Sequence, residues 1–195
     1  GYYINPLLNV ALGTLFLKER LTRWQGVALV LASVAVALLA WRARDMLGIS
    51  LALAGTFGGY GLVRKFTPVG GVDGLTVESL LLALPALGIV GWFAASPAGV
   101  SLAGDWWTSG LVMLGGVITA LPLILFAVAA RRLQFSTLGF VQFIAPSIAF
   151  LLAVFLFREP LQPVQLASFV LIWLAIGVFT WDMWRQQVAR RDLKP

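Results

Sequence analysis

The sequence predicts an all-α membrane protein, a polytopic helical bundle with seven transmembrane spans drawn from a ten-helix inverted repeat of five plus five. Three observations predict it. Hydrophobic residues make up 60% of the 195-residue chain and charged residues only 11%, where a soluble domain carries about 25% charge. Apolar runs of spanning length recur along it; a bilayer core of about 30 Å needs roughly 20 residues of helix. Finally, one two-helix segment is written twice.

The runs cover residues 3–17, 24–41, 46–63, 75–95, 108–130, 136–157 and 162–182. The first is short. Tryptophans mark the boundaries: Trp24 and Trp41 bracket the second run, Trp92 and Trp106-Trp107 flank a loop, and Trp181 and Trp184 close the last. Such rings prefer the membrane–water interface. Only Trp173 falls inside a run, where packing or lipid contact is expected of it.

The duplicated segment aligns residues 1–41 with 141–181 without a gap. Pro6 meets Pro146, Glu19 meets Glu159, Leu21 meets Leu161, Gln25 meets Gln165 and Trp41 meets Trp181. Leucine-rich composition explains chance leucine matches but not these. A repeat of this kind is read before anything else. Three runs separate the copies, so a half consists of three helices followed by this pair. Residues 1–45 then close a first half, 46–185 form a complete second half, and 186–195 are a basic tail. On this reading three helices, on the order of 90–100 residues, precede Gly1.

Basic residues set the orientation. With the C-terminus in the cytoplasm, the cytoplasmic side holds Lys18, Arg20, Arg23, Arg64, Lys65, Arg131, Arg132, Arg185, Arg190, Arg191 and Lys194. The other side holds Arg42, Arg44 and Arg158. Eleven against three decides the matter. The two copies of the Glu motif fall on opposite faces, which makes the repeat inverted, the build of many secondary transporters.

Composition also excludes. A net charge of +6 does not point to nucleic acid, because the basic residues sit in pairs between apolar runs and form no stripe. The chain has no cysteine and no histidine, so disulfides, Ser-His catalysis and the commonest metal ligands are absent. No G-x-x-x-x-G-K-[ST] occurs, so no nucleotide is hydrolysed here. We expect no enzyme activity, no cofactor and no metal. The expected partners are a small-molecule substrate and the lipid bilayer, with a homo-oligomer left open.

Four strings carry a family resemblance: GYYINPLLNVALGTLFLKERL at 1–21, GTFGGYGLVRK at 55–65, GLTVESLLL at 74–82 and GFVQFIAPSIAFLLAVFLFREPL at 139–161. In order and over essentially the whole chain, they resemble the RarD branch of the drug/metabolite transporter superfamily, built from two EamA-type halves. The resemblance implies a ten-helix inner-membrane transporter with both termini cytoplasmic. The alternatives to transport are a membrane scaffold or sensor and, further off, a membrane-embedded enzyme.

A polar side chain within a span is costly unless it faces protein or water, so each is a candidate for function. Asn5 and Asn9 lie four apart on one helical face, with Pro6 freeing a carbonyl near Tyr2. Gln142 precedes Pro146 by four and takes the repeat position of Tyr2, near the level of Asn5. Tyr60 lies among Gly55, Gly58, Gly59 and Gly61, where the Gly55/Gly59 pair predicts close helix approach. Thr119, one turn from Pro122, and Arg64, placed to attract an anionic group, complete the substrate-binding set. Pro85 and Pro122 predict helix kinks. Glu19 and Glu159 read as helix-end groups and Glu78 as a partner of its own helix dipole. No Asp or Glu stands out at mid-membrane, so no proton carrier is visible.

Overall fold

The computed structural model describes residues 3–42, 44–95 and 106–191, and among these there is no strand. The helices are α1 (Ile4–Leu15), α2 (Arg23–Arg42), α3 (Leu47–Phe66), α4 (Gly71–Ala95), α5 (Trp106–Arg132), α6 (Phe135–Gln142), α7 (Ile144–Phe155) and α8 (Pro163–Arg191). A 3-10 turn over Arg44–Met46 leads into α3. The chain divides into two compact units, residues 1–62 with 133–195, and residues 63–132.

Six helical stretches are long and apolar enough to cross a membrane among the described residues, and not the expected seven. The exception is α1, whose 12 residues reach only about 18 Å. The stretch 136–157 is also not one helix. It breaks at Phe143 into α6 and α7, because Pro146 has no N–H for the Gln142 carbonyl and its ring crowds that oxygen. At the other end α8 continues to Arg191, so the tail expected from Gln186 onward begins as helix.

The repeat is visible in the backbone. Helices α1 and α7 are each 12 residues long and start 140 positions apart, as do α2 and α8. Both short helices end alike. The Glu19 N–H reaches back to the Gly13 carbonyl at 3.0 Å, and the Glu159 N–H reaches the Ala153 carbonyl at 3.0 Å. Such a closure needs a left-handed residue, and Lys18 and Arg158 both sit at φ 54°. Glycine normally takes that conformation, and a side chain there costs about 1–2 kcal/mol. We therefore expect Lys18→Gly to raise stability by up to about 1 kcal/mol, allowing for glycine's larger unfolded entropy. A chemical unfolding midpoint that falls instead would show that the Lys18 side chain matters more than its backbone.

In the first unit the two copies pack antiparallel. Trp24 at the start of α2 meets Trp181 near the end of α8, with ring centroids 5.3 Å apart and nearly perpendicular. The seam uses equivalent positions: Ala28, Ala32 and Ala35 on α2, and Ser168, Ile172 and Ala175 on α8, all fully buried. Small residues on α2 let the backbones approach, which is how helices associate in lipid. Around this seam lies an aromatic core, with Phe150 stacked on Phe169 at 3.9 Å and Phe140 on Phe179 at 4.0 Å. Trp173 belongs to it, donating its indole N–H to Ser147 Oγ at 3.1 Å.

The second unit pairs α4 with α5. Gly71 makes the approach possible, since a Cβ there would lie 3.1 Å from the Val128 backbone nitrogen. Both helices run unbroken through Pro85 and Pro122. Their outer faces are apolar and open, with Leu84 and Trp92 more than three-quarters exposed. A surface like that is made for lipid.

Candidate functional site

Asn5, Asn9 and Gln142 come together in the first unit. Asn9 Nδ2 donates to Gln142 Oε1 at 2.6 Å, and Asn5 Nδ2 reaches the same oxygen at 3.4 Å. Asn9 is 1% exposed. One acceptor thus holds two amides, and both asparagine Oδ1 atoms are left buried with no partner. A buried carbonyl oxygen without a donor costs about 1–3 kcal/mol. Native structures contain few such groups, and each asks for a reason.

Local structure explains how the three residues meet. Helices α1 and α6 run antiparallel and very close, because Gly139 presents no side chain to α1. A Cβ at Gly139 would lie 2.5 Å from the Pro6 carbonyl oxygen and 3.4 Å from Asn9 Cβ. Gln142 is the last residue of α6, directly before the break at Phe143. The break lies 8 residues into the 21-residue stretch Phe135–Phe155. The triad therefore sits well inside a span, beside interrupted helix. Tyr2, whose carbonyl Pro6 was expected to free, lies outside the described residues.

The start of α6 is held by Glu19. Its Oε1 accepts the Phe135 N–H at 2.6 Å, and its Oε2 accepts the Ser136 N–H at 2.9 Å and the Ser136 hydroxyl at 2.7 Å. A carboxylate over the free N–H groups of a helix start satisfies them and complements the helix dipole. The helix-end reading of Glu19 holds, but the helix it serves is α6, far along the chain. Gly13 leaves room for this contact, as a Cβ there would lie 2.8 Å from Glu19 Oε2.

Sequence reasoning missed a second acid. Asp182 is 4% exposed, and its Oδ2 accepts from the Thr22 hydroxyl at 2.7 Å and the Gln186 amide at 2.6 Å. Its position one past the aligned segment 141–181 leaves it outside the repeat comparison. Together Glu19 and Thr22 tie the α1–α2 loop to both α6 and α8.

A cavity of about 410 Å³ opens in the same unit. Its lining includes Tyr3 and Ile4 at the head of α1, Ser50, and Glu159, Gln162 and Gln165 from the second copy of the loop. It thus runs from the exposed Glu159 turn to the residue next to Asn5. Its volume lies within the range usual for small-molecule sites, about 300–1,000 Å³.

The other candidates are placed differently. Tyr60 is half-buried on α3. Thr119 is exposed on α5 and donates its hydroxyl to the Gly115 carbonyl at 2.7 Å. Arg64 is 2% exposed and pairs with Glu78 at 3.1 Å, so Glu78 serves Arg64 and not only its helix dipole. Gly55 and Gly59 have nothing within 4 Å of an added Cβ. The close approach is at Gly58, where that atom would lie 2.8 Å from Leu8 of α1. The G-x-x-x-G spacing was present, but α3 turns a different glycine inward.

No family model matches the chain. It is 46% identical over 187 residues to an uncharacterized transporter of Pseudomonas aeruginosa, covering 95% of this chain and 62% of that protein. It is 43% identical over 192 residues to protein RarD of Streptomyces exfoliatus, covering 98% and 60% of the two. Protein RarD of Escherichia coli is 39% identical over 184 residues, with 93% and 62% covered. This chain is RarD-like. It spans about six-tenths of the length of these curated relatives. Among the described residues of this RarD-like chain, no group of three or more Asp or Glu side chains is placed to hold a metal ion.

Proposed function

We propose that the protein is a secondary transporter that moves a small polar molecule by alternating access, with Asn5, Asn9 and Gln142 contacting it. The observation that carries this reading is the amide triad, with Asn9 buried and Asn5 and Gln142 half-buried, beside a broken helix. Discontinuous helices near the bilayer midplane, at the meeting of inverted repeats, are where secondary transporters bind substrate. Relatives that bear the name transporter support the same class. The working unit is two five-helix halves, of which residues 1–45 close the first and 46–185 form the second. It sits in the bacterial inner membrane with the C-terminus in the cytoplasm, as the basic residues argue. The two halves rock about the triad, and the α1–α2 loop seals the cytoplasmic side through Glu19 and Thr22 while the cavity by Glu159 faces out.

The lack of cysteine makes the test clean. A single cysteine replaces Gln142 in the full-length protein, and membrane-impermeant maleimide is applied from each side in turn. Labelling from both sides, altered by a transported compound, is expected. Failure to label from either side would reduce the triad to interhelical glue and favour a scaffold.

A further inference from the structure

The triad and the cavity select one ligand chemistry. Each asparagine nitrogen has a partner in Gln142 Oε1, whereas two buried oxygens, Asn5 Oδ1 and Asn9 Oδ1, have none. Beside them the carbonyl of Gln142 receives no N–H from Pro146. The buried atoms left without any partner at the triad are therefore acceptors. A cavity in the same unit, which includes Ile4, repeats the bias. Among the described residues its lining includes one ionised group, the Glu159 carboxylate, and no lysine or arginine. Its remaining polar groups are neutral, from Tyr3, Ser50, Gln162 and Gln165. Charge of one sign in a cleft with low-dielectric walls concentrates ions of the other sign. An anionic ligand meets repulsion at the mouth and lone pairs at the end.

We infer that the substrate of this site carries a protonated amine with N–H bonds, which enters past Glu159 and donates to the two asparagine oxygens. The inference rests on the transporter reading of the same triad and adds the class of compound. The N–H bonds matter separately from the charge. A quaternary ammonium keeps the attraction to Glu159 but has no N–H to donate.

The test uses the full-length protein in detergent and three probes that share one ring: benzylamine, benzyltrimethylammonium and benzoate. Binding is read at neutral pH by the shift in unfolding temperature across a concentration series. Benzylamine is expected to bind at least about tenfold more tightly than either of the others, a difference of roughly 1.4 kcal/mol. Glu159→Gln, on an exposed turn where folding is not at stake, is expected to weaken benzylamine and benzyltrimethylammonium alike while leaving their ratio unchanged. Asn9→Asp is expected to strengthen benzylamine selectively. Equal binding of the three probes would overturn the inference. Tighter binding of benzoate would overturn it too, by showing that the amides present their nitrogens outward. If the cysteine at position 142 is labelled while no amine preference appears, the ligand class is wrong and the site stands. If neither labelling nor binding occurs, both fall together.

Discussion

Gly139→Val is expected to separate α1 from α6, to abolish substrate movement and to lower stability by about 1–3 kcal/mol, the usual cost of forcing extra methyl groups into a packed interface. The reasoning is geometric. A Cβ at this position would stand 2.5 Å from a main-chain oxygen, that of Pro6, and 3.0 Å from Val10 Cγ2. A side-chain tip can swing aside, but the backbone of α1 cannot do so alone. The helix must move as a whole, and the 2.6 Å bond between Asn9 and Gln142 is the first contact to be pulled apart. Gly139→Ala should show a smaller loss of the same kind. Gly177→Ala on α8, where an added Cβ meets nothing within 4 Å, should be neutral or stabilising by roughly 0.5–1 kcal/mol through helix propensity. Unfolding temperatures and uptake measured on the three variants give the comparison. A valine variant with unchanged stability and transport would mean that α1 and α6 do not cross as described.

Removal of the Glu19 carboxylate is the second large effect. Glu19→Ala deletes three accepted hydrogen bonds and strips the start of α6 of its charge partner. Hydrogen bonds to an ionised group contribute about 1.5–3 kcal/mol, more than neutral ones. The helix-dipole part adds about 0.3–1 kcal/mol. Because Glu19 is half-buried and solvent screens part of this, we expect a net loss of about 2–4 kcal/mol. Glu19→Gln should recover part of it, since its one carbonyl oxygen still accepts. The repeat offers an internal control: Glu159→Ala removes an exposed side chain and should cost less than about 0.5 kcal/mol in the 195-residue chain. Equal losses at the two positions, measured by chemical unfolding, would refute the capping role.

Much of this was legible beforehand because the chain says the same thing twice. The offset of 140 residues that aligned Pro6 with Pro146 also aligns the starts of α1 and α7 and of α2 and α8. Asn5, Asn9 and Gln142 stood out because an amide in an apolar run has no reason to be there unless it meets something. Pseudosymmetry placed Gln142 near the Asn5 level, but only the crossing of α1 and α6 showed that one oxygen serves both asparagines. What stayed hidden depended on rotation about a helix axis. Spacing alone could not tell that Gly58, not Gly55 or Gly59, faces a neighbour. Charges near helix ends were equally mute: Arg64 looks like a topology marker until Glu78 is seen beside it, and Asp182 gives no sign of Thr22.

The paired turns at Lys18 and Arg158 carry a further consequence. Their backbones agree down to the left-handed residue and the 3.0 Å closing bond, yet their side chains agree only in part. Where the first turn has Arg20 and Arg23, the second has Pro160 and Pro163. Folding of the turn is therefore indifferent to those cations, and their place has been taken by residues that stiffen the chain without charging it. Shape and address are written in the same few positions but in separate alphabets. A duplicated unit can in this way keep its form while the charge at each of its turns is set separately.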